Sequence, residues 1–175
     1  VSFIGDSTFF HSGVSPLINA VHNKQKFVLT VLDNRITAMT GGQPNPGMPV
    51  DGMGDEAPEI SIRKIANAVG VKFVRVVNPL NLEQVIKTYK EALEFDGVAV
   101  IIAKSPCTLI KGLPKKPPVN FDESKCQKCK KCSNDLACSA ISFKDNKIVV
   151  DKSMCNGCNI CVQVCKYGAL TEGRW

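Results

Sequence analysis

Eight cysteines crowd into the last third of this chain, and their spacing limits what the chain can be more than any other feature. Cys126, Cys129 and Cys132 follow the pattern C-x2-C-x2-C, and Cys138 stands after five further residues. Cys155, Cys158 and Cys161 repeat the triplet 29 residues later, and Cys165 follows after three. Similar tails, "CSAISF" and "CKYGAL", close the two runs, so the segment is an internal duplication. Steps of three let three thiolates reach three corners of one iron–sulfur cubane while backbone N–H groups point at its sulfides; the fourth ligand must come from elsewhere. Structural zinc asks for four ligands in paired C-x2-C sets, which fits two triplets with trailing cysteines poorly. A disulfide framework would spread its cysteines, yet residues 1–106 hold none. Cys107 stands alone in "SPCTLI" and reads as a buried or linker thiol.

Residues 119–172 resemble the bacterial-type ferredoxins that carry two [4Fe–4S] clusters. In such proteins the fourth cysteine of each run ligates the other cluster. The resemblance therefore implies one cluster on Cys126, Cys129, Cys132 and Cys165, and a second on Cys138, Cys155, Cys158 and Cys161. This chain departs from the family where Pro usually follows the fourth cysteine, having Ser139 and Lys166 instead, and in the longer spacing before Cys138. Those changes alter hydrogen bonding and solvent access around a cluster, hence its potential, without removing a ligand.

The cysteine-free part alternates strands with helices. Apolar or β-branched runs at 1–5, 26–33, 72–77 and 97–105 read as strands. Residues 14–23, 58–70 and 81–95 read as helices, the last capped by Asn81. This order predicts an α/β fold, part of a doubly wound parallel sheet covered on both faces. The expected domains are 1–105, a linker over 106–118, and a small α+β iron–sulfur domain over 119–175. The linker, "PCTLIKGLPKKPP", is extended and solvated by composition, Lys115 and Lys116 included. The formal charge of +6 does not advertise nucleic acid, because no basic stripe is interleaved with aromatics. Two oxidised clusters with their thiolates would each add about −2 and so offset most of it. The longest apolar run, "GVAVIIA", is far short of a membrane span. No signal-peptide pattern is seen, so the cytoplasm is the default expectation.

Two short motifs end successive predicted strands: "GDS" at 5–7 and "DN" at 33–34. If those strands are parallel neighbours, Asp6 and Asn34 meet at one sheet edge. A carboxylate, an amide oxygen and a nearby carbonyl suit Mg²⁺, which takes hard oxygen ligands together with substrate phosphates. "TGGQ" at 40–43 adds glycines that let backbone approach a phosphate. Asp33 reads as a strand-end turn former and His22 as a surface residue. Gln43 and Asn45 either touch a diphosphate or shape the loop.

"GD", a gap, then "N" is the magnesium–diphosphate motif of thiamine diphosphate enzymes. The longer string "GDSTFFHSG…DNRITAMTGGQPNPG" is similar to the 2-oxoacid:ferredoxin oxidoreductase family, in particular to the C-terminal portion of the alpha (large) subunit of its indolepyruvate branch. That resemblance covers nearly the whole chain. It implies that Asp6 and Asn34 ligate Mg²⁺ through side chains and Ile36 through its carbonyl. Ser7, Thr8, Thr40 and Gly41 would line the diphosphate of thiamine diphosphate, and His11 would face the thiazolium or substrate. The implied reaction is oxidative decarboxylation of an aryl pyruvate, indolepyruvate, with coenzyme A. Electrons would leave through two [4Fe–4S] clusters to a ferredoxin. A smaller beta subunit is the implied partner, with no nucleic acid and no membrane. The Glu that activates the cofactor belongs, in the family, to a domain outside these residues, so the chain is expected to be part of a larger subunit and inactive alone. The alternatives are a pyruvate or other 2-oxoacid:ferredoxin oxidoreductase subunit, or a non-catalytic electron carrier with a docking domain.

Overall fold

The computed structural model describes residues 1–174. The chain divides into two compact units between Lys111 and Gly112. The first unit contains β1 (Ser2–Gly5), α1 (Asp6–Thr8), a π-helical turn over Phe9–Gly13, α2 (Val14–His22) and β2 (Phe27–Asp33). After a long loop come α3 (Ile62–Ala68), β3 (Phe73–Val77), α4 (Leu82–Glu94) and β4 (Val98–Lys104). All strand pairings are parallel and the order is β1-β2-β4-β3.

The period-2 alternation of each strand sorts its side chains onto two faces. Leu29, Val31, Val100 and Ile102 pack with Leu17 and Ala20 of α2 and with Ile62 and Ala66 of α3. Val28, Phe73, Val77, Ala99 and Ile101 pack with Val85, Tyr89 and Ala92 of α4. The chain steps outward from β1 through β2 to β3, then turns back to β4. Right-handed crossovers put the returning helix on the opposite face. Val100 and Ile101 are 0% exposed, and burying each side chain contributes roughly 2 kcal/mol. The buried hydroxyl of Thr30 is satisfied by the Tyr89 hydroxyl at 2.6 Å.

Helix ends follow local chemistry. The Asn81 side chain accepts the Gln84 N–H at 3.0 Å and caps α4. The expected helix over 58–70 is shorter: α3 starts at Ile62, where Ser61 accepts the Lys64 N–H. The preceding "PEI" is held instead by the loop, with the Ile60 N–H donating to the Pro46 carbonyl.

The second unit is smaller. β5 (Asn120–Phe121) pairs antiparallel with β8 (Leu170–Thr171), and β6 (Ile141–Lys144) with β7 (Lys147–Val150). Asp145 and Asn146 both have positive φ at the tip of the β6–β7 hairpin, as a type I′ turn requires. The two short helices α5 (Lys131–Asn134) and α6 (Ile160–Val164) start within the two cysteine runs and carry Cys132 and Cys161. Val119, Ile141, Ile148, Cys161 and Leu170 form this unit's core. Among the described residues, no helix is long and apolar enough to cross a membrane.

Candidate cofactor and iron–sulfur sites

The carboxyl ends of β1 and β2 lie side by side, with Gly5 opposite Leu32. In open parallel sheets this edge is where ligands bind. Asp6 follows β1 directly and is 3% exposed. Its Oδ1 accepts the Ser7 N–H at 2.8 Å. Its Oδ2 accepts the Arg35 N–H at 2.9 Å and the Asn45 side-chain amide at 3.0 Å. Asn34 turns back on itself, its Oδ1 accepting the Ile36 N–H at 3.1 Å. Arg35 adopts a left-handed φ of 65° between them, which aims its N–H at Asp6. The Thr37 hydroxyl donates to Ser7 Oγ at 2.9 Å. The loop after β2 is therefore sewn to the loop after β1.

Charges frame this edge. Arg35 pairs with Glu59 at 2.8 Å, and Lys104 approaches the same carboxylate at 3.9 Å. The Arg35 hydrogen bond holds the Glu59 carboxyl below the usual range. Asp33, expected as a turn former, is buried at the end of β2. Burial pushes its carboxyl up, Arg35 and Lys104 oppose that, and nearby Asp6 adds to it.

The structure thus brings Asp6, Ser7, Asn34 and Ile36 together. Thr40 and Gly41 sit on the outer turn of the same loop, where Gln43 donates to the Thr40 carbonyl at 2.7 Å. Thr8 ends α1, and His11 lies exposed on the π-helical turn. The donor set fits Mg²⁺. Asp6 Oδ1 and Asn34 Oδ1 each accept one hydrogen bond in the structure, so each oxygen keeps a lone pair for a hard cation. Asn45, read from the sequence as touching a diphosphate or shaping the loop, shapes the loop and in addition donates to Asp6, a contact the sequence did not show. It lies 39 positions from Asp6, is 5% exposed, and takes the Gly47 N–H at 2.9 Å on its own Oδ1. Its one sequence signal was an amide between two prolines, "PNP".

The cysteines ring two cavities in the second unit. Cys126, Cys129, Cys132 and Cys165 line one, and Cys138, Cys155, Cys158 and Cys161 line the other. Each set takes three members from one run and one from the other. All are free thiols. Among the described residues no group of three or more His, Cys, Asp or Glu side chains is placed to hold a single metal ion.

The two runs share backbone design. Lys128 and Lys130 have positive φ in the first run, and Gly157 and Asn159 have it at the matching positions of the second. Both are preceded by an Asp–x–Ser turn: Asp122 accepts the Ser124 N–H at 3.0 Å, and Asp151 the Ser153 N–H at 2.8 Å. These turns hold both carboxyls below their usual range. Burial pushes the Cys161 thiol up to about 11, aided by Cys158, Cys155 and Cys138. Cys132 is raised for the same reasons, burial first and then Cys129. At Cys165 burial also raises, yet the backbone amides of Tyr167, Leu170, Ala169 and Gly168 outweigh it and the thiol is lowered. Amides converging on a sulfur favour thiolate, the form that binds iron.

Residues 1–103 match the thiamine pyrophosphate enzyme family through its C-terminal TPP binding domain, and residues 148–171 match a 4Fe-4S binding domain. The chain belongs to the thiamine pyrophosphate enzymes. Its particular likeness within that class is to indolepyruvate oxidoreductase subunit IorA of Methanothermobacter thermautotrophicus, 58% identical over 175 residues. The same-named subunit of Archaeoglobus fulgidus is 41% identical over 178 residues. Each alignment covers 99% of this chain but only 28% and 29% of those proteins. The chain therefore spans less than a third of the length of the curated relatives it matches. Among solved structures, the 2-oxoglutarate:ferredoxin oxidoreductase of Magnetococcus marinus superposes with a TM-score of 0.54 at 19% identity, over 59% of this chain and 38% of that one. At that identity the likeness concerns the fold.

Proposed function

We propose that this chain supplies the magnesium–diphosphate clamp and the electron path of an enzyme that oxidatively decarboxylates aryl pyruvates, indolepyruvate foremost, with coenzyme A. The observation that carries the reading is one chain holding both halves: Asp6 beside Asn34 at a parallel-sheet edge, and eight thiols gathered as two crossed fours. The names of the relatives, indolepyruvate oxidoreductase subunits, agree with it.

In this reading Asp6, Asn34 and the Ile36 carbonyl hold Mg²⁺. Ser7, Thr8, Thr40 and Gly41 line the diphosphate, and His11 stands toward the substrate. When bound, thiamine diphosphate supplies the carbanion stabilisation that decarboxylation requires. The chain's own work is positioning. Buried Asp6 is aimed by the Arg35 N–H and the Asn45 amide, so its free lone pair points one way. The two cysteine sets would each hold a [4Fe–4S] cluster, and such clusters would supply one-electron transfer. The balance is one 2-oxoacid, one coenzyme A thiol and two oxidised ferredoxins giving one acyl-thioester, one CO₂, one proton and two reduced ferredoxins. A smaller beta subunit completes the enzyme.

The test uses the complete enzyme with its partner subunit, anaerobically purified. Indolepyruvate, phenylpyruvate and pyruvate are compared as substrates, with iron counted per chain. The expected result is about eight irons, an aryl pyruvate preferred, and loss of calorimetric thiamine diphosphate binding in Asp6→Ala. Cofactor binding indifferent to Asp6→Ala would favour a plain electron carrier and overturn the reading.

A further inference from the structure

We infer that the cavity formed by Cys126, Cys129, Cys132 and Cys165 is the exit port of the electron path, and that its lysine-ringed rim docks an acidic electron-carrier protein. The inference rests on the proposed function and adds the direction of flow and the docking surface.

The duplication provides an internal comparison. Shifting the first run by 29 residues onto the second puts Lys125 opposite Met154, Lys128 opposite Gly157, Lys130 opposite Asn159 and Lys131 opposite Ile160. Four cations in one repeat thus face four uncharged residues in the other, on loops of matching backbone conformation. The residues lining the second cavity include no charged side chain, whereas Lys130 and Lys131 line the first.

Exposure differs in the same sense. Cys129 is the exposed member of the eight cluster cysteines, and residues 127–131 around it are exposed throughout. In the matching stretch of the second run Asn156 stays exposed, but residues 158–160 are half-buried and Gly157 is buried. Gly157 is buried against residues 116 and 117, and a Cβ there would lie 2.5 Å from the Pro117 carbonyl oxygen. Electron tunnelling falls steeply with distance, so a carrier approaching the bare loop is favoured over one approaching the covered loop.

The lysines are available to a partner. Lys125 pairs with Asp122 at 3.4 Å, and Lys130 lies over the Phe143 ring at 4.0 Å. Lys128 and Lys131 form no ion pair among the described residues. Exposed Lys166 and Tyr167 extend the same rim beyond Cys165. A cationic rim around a one-electron centre fits an acidic face on the acceptor, steering encounter at low salt. Each 2-oxoacid oxidised would send two electrons through this port, reducing two carrier molecules by one electron each.

The experiment uses the complete holoenzyme and a small ferredoxin rich in Asp and Glu. Binding is measured directly, without substrate, as a dissociation constant over a range of salt. Turnover is measured in parallel with that ferredoxin and with a small viologen dye. Lys128→Glu is expected to weaken ferredoxin binding by about fivefold or more at low salt, to raise its KM similarly, and to leave iron content and dye reduction unchanged. Lys152→Glu, the same charge change beside the second run, is expected to do neither. Wild-type binding should weaken steeply with salt, which tests the surface even if a variant loses iron. Salt-indifferent binding overturns the inference, as does an equal effect of Lys152→Glu. Absence of substrate-driven dye reduction would instead strike at the proposed function, because ferredoxin binding is read independently.

Discussion

Gly157 offers a sharp perturbation because its counterpart in the duplicated run is a lysine. Gly157 has φ 66°, a left-handed conformation that raises the energy of an ordinary L-residue by about 1–2 kcal/mol. A methyl group there would meet the Pro117 carbonyl oxygen at 2.5 Å and Lys116 Cβ at 2.7 Å. Backbone must shift to relieve that contact, and such overpacking costs about 1–3 kcal/mol. Gly157→Ala is thus expected to destabilise the second unit by about 3 kcal/mol. In thermal unfolding followed by iron–sulfur absorbance, that is a drop of roughly 12–24 °C for a unit of this size. Lys128→Ala supplies the matched control. Its φ is already 51° with a side chain present, and the residue is exposed, so the change should stay within about 0.5 kcal/mol. Equal midpoints for Gly157→Ala and wild type would refute the reasoning, since both the conformational and the steric contributions would then be absent.

Two further outcomes are expected. Asn45→Ala removes a hydrogen bond to a carboxylate worth about 1.5–3 kcal/mol, so calorimetric Mg²⁺–thiamine diphosphate affinity of the complete enzyme should fall by roughly tenfold or more. Asn45→Gln, which keeps the amide but not its reach, should recover little of it. In iron-free protein the Cys161 thiol, raised to about 11 by burial, titrates above its unfolded value. Its folded-state contribution is then fully present below the ordinary thiol range and lost as pH climbs through that range to about 11. Denaturation midpoints of the iron-free form should fall across this window, and Cys161→Ser should remove part of the slope.

Much of the candidate site could be read from local rules. The duplicated triplets are a local spacing, and the two crossed groups of four are what the resemblance to two-cluster ferredoxins implies for them. That Asp6 and Asn34 stand together follows from two apolar strands of parallel habit, each ending in a polar tip. The cap at Asn81 is likewise local, needing only an amide three residues ahead of a backbone N–H. The start of α3 was less legible, because a loop contact from Ile60 to Pro46 overrides helical periodicity at residues 58–60.

By itself, then, the amino-acid order determined the strand–helix alternation, the duplication and the identity of the metal-type donors, since each depends on spacing along one segment. Tertiary structure alone decided that Asn45 grips Asp6 from 39 positions away and that Asp33 is buried. It alone decided that one cysteine loop is covered by residues 116 and 117 while its twin lies bare. Periodicity tells which face of an element turns inward, but not which distant backbone arrives to meet it.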